Sequence, residues 1–400
     1  MRRALVLATG VAACAAAPAH AGDFYVTKTG LDTNPCSAAQ PCASAQGAAG
    51  KPAVVDGDVI HIAAGTYTGS AGSVATTKRL TFAGDGSLGC GNAGTTYLDA
   101  ATTTVPAVTL SRGGAVSNLC ARGGFGGADN VAPAAAVALT STDPTAAYEL
   151  TDVDATGGAK GTTSAEGLKL SDDATRTIAL TMTRGSYRTP LGGVAVRVSG
   201  TNVALTGTLP TIIAGTKGTG LSVETGAAAT LDQASILDAA GQTTGARAGG
   251  QGSELTLTRS TISARSYGVL ASSSVFDPAG SATATVDTSL VLVHKTADVS
   301  GGHGVHAAAS GAGRTASIAV RSSTVIADGP AAVAALSATG VSSGAATVTA
   351  TGTYASASDT DGTPGDADLV ADASSSGTAT ITATYSAFAD RQELHSGTAT

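Results

Sequence analysis

The residues of this 400-residue chain that could do chemistry are carboxylates, arginines, histidines and cysteines, set in a background where only 13% of positions are charged. Asp172-Asp173 is the one pair of adjacent aspartates, followed by Arg176, Arg184, Arg188 and Arg197. Clustered carboxylates can hold a divalent cation while a facing basic group withdraws a proton, which makes Asp172, Asp173 and Arg176 catalytic candidates. Solvated outward positions of strands explain the same mixture without any reaction. A second run, Asp359-Thr360-Asp361-Gly362-Thr363-Pro364-Gly365-Asp366-Ala367-Asp368, alternates carboxylates around two glycines. Calcium takes about six to eight hard oxygens, and Asp359, Asp361, Asp366 and Asp368 with neighbouring carbonyls could supply them. The run lacks the spacing and the terminal Glu of an EF-hand, so its alternatives are a structural calcium, the one cofactor the sequence suggests, and a polar loop between strands. His61, between Ile60 and Ile62, reads as a structural histidine in a strand.

Five cysteines are present, and Cys14 lies in the N-terminal leader. The remaining four, Cys36, Cys42, Cys90 and Cys120, suit an oxidising compartment. Four cysteines allow three pairings, and spacing favours Cys36–Cys42 around Pro41 together with Cys90–Cys120 one coil apart. Stacked strands rise about 4.8 Å, within reach of a disulfide. Zinc is the alternative, although no His stands near these residues at zinc-finger spacing.

Several function classes are excluded by what surrounds these residues. Met1-Arg2-Arg3, a largely apolar stretch from Ala4 to Ala17 and the small-residue end Ala19-His20-Ala21 read as a secretory signal over 1–21, cleaved after Ala21. No later run reaches the roughly 20 apolar residues of a membrane span, so a secreted, extracellular or cell-surface protein is expected. A net charge of −7 argues against nucleic acid or an anionic membrane as partner. Aromatics are 3% and Trp is absent, whereas Gly numbers 53. Such a chain is poorly suited to a bulky core and well suited to stacked backbones carrying small side chains.

A repeat supplies that stacking. Gly-led alternating segments recur at Gly167-Leu168-Lys169-Leu170, Gly193-Val194-Ala195-Val196, Gly220-Leu221-Ser222-Val223, Gly245-Ala246-Arg247-Ala248, Gly268-Val269-Leu270-Ala271 and Gly304-Val305-His306-Ala307. A second alternating segment follows, such as Glu254-Leu255-Thr256-Leu257-Thr258, and then a short third one: Ser235-Ile236-Leu237, Ser260-Thr261-Ile262, Ser289-Leu290-Val291 and Ser323-Thr324-Val325. Period-2 alternation puts Val, Leu, Ile and Ala on one face and Thr, Ser, Arg and Asp on the other. Three short strands per coil of roughly 25 residues, stacked in parallel, make a solenoid whose stability is a nearest-neighbour sum. The loop Phe276-Asp277-Pro278 stretches one coil. The expected fold class is all-β, a right-handed parallel β-helix with glycines turning its corners.

The N-terminal stretch then carries a resemblance. Phe24-Tyr25-Val26-Thr27, Gly30 to Cys36, Gln40-Pro41-Cys42-Ala43-Ser44, Asp56-Gly57-Asp58-Val59-Ile60-His61-Ile62-Ala63-Ala64-Gly65-Thr66-Tyr67 and Lys78-Arg79-Leu80-Thr81-Phe82-Ala83-Gly84-Asp85-Gly86 follow the order seen at the start of pectate-lyase-like (pectin-lyase-like) β-helix proteins. The resemblance implies a capping region over 22–75, with a short helix near Ala38–Ala49, and the β-helix over 76–400. It is unspecific for activity, because that family includes lyases, hydrolases and adhesin-like proteins. Within it, Ser300-Gly301-Gly302-His303-Gly304-Val305 is similar to the Gly-His-Gly segment of polygalacturonase-type hydrolases, making His303 a catalytic candidate. Those enzymes place paired aspartates one coil before the His and Arg-x-Lys one coil after. Here Asp287 and Asp298 are single, and Arg314 and Arg321 lack the Lys, so Gly304 reads as a repeat glycine and His303 as a surface residue. The expected function is a non-catalytic extracellular module that presents a long lateral face to a polysaccharide or another surface protein. The alternatives are a polysaccharide lyase or glycoside hydrolase with a divergent site, and a structural module of a larger surface protein. The end of the chain, to Thr400, shows no capping segment, sorting motif or anchor.

Overall fold

The computed structural model describes residues 21–400 except 88–89, 126–131, 161–162, 173–175, 239–242, 275–279, 297–300, 331–332, 360–366, 389–391, 396–397 and 400. The leader 1–20, and with it the expected signal, lies outside the described residues, as do Asp173, Phe276-Asp277-Pro278, Asp298, Asp361 and Asp366.

Each coil contributes three strands, for instance Thr244–Gly249, Ser253–Thr258 and Thr261–Ala264, and the next coil repeats them at Tyr267–Ser273, Ser281–Asp287 and Leu290–His294. Like strands stack in parallel: Ala246 pairs with Val269, Leu255 with Ala284 and Ile262 with Val291. Among the described residues the first strands form a 12-stranded sheet, and the second and third strands form one 24-stranded sheet. The molecule is a parallel β-helix. Inward residues build a continuous core of small and branched side chains, among them Val223, Ala248, Ala271 and Ala307 of the first stack. Near the N-terminus the helix Ala45–Ala49 packs on the first strands with Ala45, Ala48 and Ala49 buried, and Ser44 caps it by accepting the Gly47 N–H. Asp32 in turn holds the Ser44 hydroxyl and the backbone N–H groups of Ala43 and Ser44.

Two details differ from the sequence expectation. Four of the six repeat glycines do not turn corners. Gly220, Gly245, Gly268 and Gly304 lie inside strands, where the third-stack aliphatic side chains press on them. A Cβ on Gly245 would meet Ile262 at 2.4 Å and the Gly268 carbonyl at 2.6 Å, and one on Gly304 would meet Val325 at 2.3 Å. Gly193 sits two places before this slot, which Ala195 occupies instead, since Val196 pairs with Leu221. The sharp corner lies between the second and third strands and is built mostly from larger residues in the left-handed region: Asn118, Asp152, Arg184, Leu209, Gln233, Arg259, Thr288 and Ser322, with φ between 46° and 58°.

Such residues avoid that region when nothing compensates. Here the corner N–H groups from Arg184 to Ser322 donate to the next coil, as Leu209 does to the Asp232 carbonyl (3.0 Å), Gln233 to Thr258 (2.9 Å) and Arg259 to Asp287 (3.0 Å). The serines that follow are a buried ladder. Ser260 donates to the Thr258 carbonyl and accepts the Ala234 N–H, and its own N–H donates to Ser289, whose N–H donates to Ser323. Ser235 is not part of it. Ala234 fills the serine slot, and Ser235 pairs with Thr261 one place on.

Cys36–Cys42 and Cys90–Cys120 are both bonded, with Cα separations of 4.7 and 5.5 Å. These are the pairs that spacing favoured.

Gly245→Ala should lower unfolding stability by about 1–3 kcal/mol, the usual cost of overpacking. Thr256→Ala, on an outward face, should shift it by less than about 0.5 kcal/mol. Equal denaturant midpoints for the two variants would show that the glycine slot is not a steric constraint.

Candidate functional site

The first stack is the face that gathers polar and aromatic side chains. Its outward central row, read coil by coil through the pairings, is Lys169, Arg197, Ser222, Arg247, Leu270, His306 and Ser337. Alternation turns these side chains away from the core, and parallel register sets each about 4.8 Å from the next.

Two clusters stand on this row. In the first, Arg197 bridges two carboxylates, with Nε to Glu166 at 2.8 Å and Nη1 to Glu224 at 2.7 Å, while the Ser222 hydroxyl donates to Glu224 at 2.6 Å. All three charged groups are half-buried. Burial works against the charge on Arg197, but Glu224 and Glu166 outweigh it and hold the guanidinium above its ordinary range.

In the second, Tyr267 stacks on His303 with ring centroids 5.5 Å apart and planes 10° from parallel, and His306 packs against both. His306 is buried, with Nδ1 3.0 Å from the Ser337 hydroxyl. Nδ1 of His303 is sealed from solvent without a hydrogen-bond partner among the described residues. Burial, aided by Lys295, pushes His303 down to about 4; burial, aided by His303, pushes His306 down to about 3. Both imidazoles are therefore neutral near pH 7, and burial also raises the Tyr267 phenol.

The residues singled out from sequence do not converge. Asp172 sits in the link after the strand Leu168–Ser171, where its carboxylate accepts the Arg176 N–H at 3.0 Å and lies 3.5 Å from the Arg176 guanidinium. Arg184 occupies a corner and grips Asp152 through two hydrogen bonds of 2.7 and 2.5 Å. Arg188 projects from the third stack and donates to Ser186. Only Arg197 reaches the first-stack face. His303 does lie on that face, but its neighbours among the described residues are rings and Lys295 rather than carboxylates. His61 is exposed, stacked on Tyr25 and 2.8 Å from Asp23.

Of the proposed calcium ligands, Asp368 is fully buried and accepts the Ala357 N–H at 2.7 Å, while the side chain of Asp359 lies outside the described residues with Asp361 and Asp366. Cys90, Cys120 and Asp154 also come together, but both sulfurs are committed to the disulfide. A surface hollow of about 480 Å³ near this disulfide is lined in part by Asp85, Asn118 and Asp152.

Glu166, Glu224, Tyr267, His306 and Lys295 were not singled out from sequence. Aligning the repeats on their glycines places Ser222, Arg247 and His306 in one column, while Arg197 escapes it because Ala195 holds the glycine slot of its coil. The carboxylates that close on Arg197 lie outside that column.

No protein-family model and no curated protein matches the chain. Among solved structures it is similar to pectin methylesterase PemA from Erwinia chrysanthemi, at 11% identity over 62% of this chain and 80% of that one, with a TM-score of 0.34. It is similar to a pectate lyase at 13% identity over 93% and 79% of the two chains (TM-score 0.35). A complex of XylC with xylose gives 9% identity over 90% and 69% (TM-score 0.40). The fold is a parallel β-helix. At such identities and scores the likenesses carry no argument about chemistry, and the architecture rests on the strand pairings themselves.

The histidine pair predicts a pH dependence. An unfolded chain takes up protons on histidine below about 6.5, whereas the folded chain leaves His303 and His306 neutral until about 4 and 3. Stability from these groups is complete above the unfolded value and is lost as pH falls toward the folded ones. Denaturant midpoints should fall between about pH 6.5 and about pH 4.5, and less steeply in His303→Gln/His306→Gln. Parallel profiles for the two proteins would remove the pair from the account.

Proposed function

We propose that this is an extracellular β-helix that holds an extended polysaccharide along its first-stack face without cleaving it. The observation that carries the reading is the stacked pair of half-buried rings, Tyr267 and His303, with the buried His306 packed against both, on the same face as the Glu166–Arg197–Glu224 clamp. Arg197 and His306 are four rungs apart in register, a span of about 19 Å that suits several sugar units. Flat rings give sugar faces a surface to stack on, and the half-buried guanidinium and carboxylates of Arg197, Glu166 and Glu224 offer directional hydrogen bonds to a chain of hydroxyls. Binding is favoured over cleavage because acid–base catalysis needs carboxylates available to a leaving oxygen and to water, and both carboxylates here are engaged by Arg197. An extracellular setting is supported by the basic and apolar leader and by the two disulfides. Among the described residues no helix is long and apolar enough to cross a membrane.

The competing reading, a lyase or hydrolase, has one observation in its favour: Glu166, Arg197 and Glu224 put two carboxylates and a cation together on a lateral face. Affinity electrophoresis of the purified chain in gels containing pectate, other uronic polymers, xylan or glucan separates the two, combined with assays for unsaturated products and new reducing ends, with and without calcium. We expect retardation by at least one polymer, weakened several-fold by Tyr267→Ala, and no products. Products that disappear in Glu166→Gln or Glu224→Gln would establish the enzyme reading, and migration unaltered by any polymer would sink the binding one.

A further inference from the structure

The outward face of the second stack has a different character from the site above. Thr181, Thr206, Thr230, Thr256 and Thr285 pair in unbroken register over five coils. Two residues along each strand runs a second rank, Thr183, Thr208, Asp232, Thr258 and Asp287. One coil, with Ala319 and Arg321, interrupts the array, which resumes at Thr349/Thr351 and Thr382/Thr384. The threonines are exposed or half-buried. Their hydroxyls make no hydrogen bond among the described residues.

Among the described residues, the links beside this surface in its lower coils are short. On one side each strand passes into the corner through a single left-handed residue, and on the other the links are three residues long at 200–202, 225–227 and 250–252. Charge on this face is sparse: Glu254 stands exposed beside Thr256, and the second rank holds Asp232, Asp287 and Arg321. Asp232, the first carboxylate in the second rank, is turned onto Arg259 of the corner, with Nε to Oδ1 at 2.8 Å and a second bond from Nη2 to Oδ2.

Parallel register makes this a two-dimensional lattice, about 4.8 Å between rungs and about 6.6 Å between ranks. Each point offers a hydroxyl that both donates and accepts beside a methyl that restricts the orientation of first-shell water. No aromatic ring stands in the two ranks, so the face lacks the usual stacking surface for sugars. Anchored, oriented water at lattice spacing on a surface of sparse charge is the chemistry of a contact with ice. We infer that the second-stack face orders water into such an array and binds ice crystals. This is an activity separate from, and independent of, the polysaccharide reading.

The test uses the full chain. Thermal hysteresis, inhibition of ice recrystallisation and partition into growing ice are measured for the parent, for Thr206→Tyr/Thr256→Tyr, and for Ser263→Tyr on the outward third-stack face. Melting curves confirm that the outward substitutions leave the fold intact. We expect the parent to enter ice and slow recrystallisation, the double variant to lose the effect at least several-fold, and Ser263→Tyr to keep it. A parent that behaves like an inert protein of the same size overturns the inference, as does an effect that survives the double variant. If Thr206 and Thr256 instead govern retention on a crystalline polysaccharide, the face is a sugar surface and the ice assignment fails. Loss of electrophoretic retardation in Tyr267→Ala reports on the other face, so the two readings stand or fall separately.

Discussion

Hydrogen bonding between one coil and the next is the constraint on which everything else in this molecule depends. It runs not only through the strands but through the corners, where Arg184, Leu209, Gln233, Arg259, Thr288 and Ser322 each donate a backbone N–H to the following coil. A left-handed conformation is costly for any one of these residues alone. Repeated in register it is compensated, because straightening one corner would break bonds to its neighbours above and below. The buried hydroxyl ladder at Ser260, Ser289 and Ser323 binds the same edge from inside. Stability is thus a sum over contacts between successive coils, and a core mostly of aliphatic side chains and alanine suffices.

The same constraint produces the functional surfaces. When every coil is locked to the next, a side chain at one slot is carried up the molecule in a straight row. Three outward faces result, and their chemistries differ: a charged and ring-bearing row on the first stack, two ranks of threonine on the second, and an aliphatic row including Ile213, Leu237, Leu292 and Ile326 on the third. Periodicity in the backbone becomes periodicity in what a ligand meets, which suits extended or crystalline partners better than compact ones.

Much of the architecture was legible because it is written locally. Alternation in segments such as Glu254-Leu255-Thr256-Leu257-Thr258 marks strands whatever their surroundings. Recurrence of a three-part unit marks stacking, and spacing favours Cys90–Cys120 once a coil length is assumed. The role of the glycines was misread for a physical reason. A glycine that bends the chain and one that makes room for a neighbour look alike in sequence. Only the approach of Ile262 to Gly245 and of Val325 to Gly304 distinguishes them. The corner was missed for the converse reason, since Leu, Gln, Arg and Thr have no local preference for the conformation that inter-coil bonding imposes.

The sequence by itself determined that this chain winds into parallel coils with small side chains inward, because alternation and repeat length act over a few residues at a time. It also favoured the cysteine pairing, Cys36–Cys42 through a short loop and Cys90–Cys120 through the match of one coil length to one rung. Tertiary structure alone decided which charged residues meet. Asp172, Arg184, Arg188 and Arg197 are close in sequence, yet register and alternation send them to a link, a corner and two different faces. Glu166, Arg197 and Glu224 lie on successive coils and form one clamp. The choice is made by the stacking rise, which brings residues some 25 positions apart to within a hydrogen bond of each other and turns sequence neighbours away from one another.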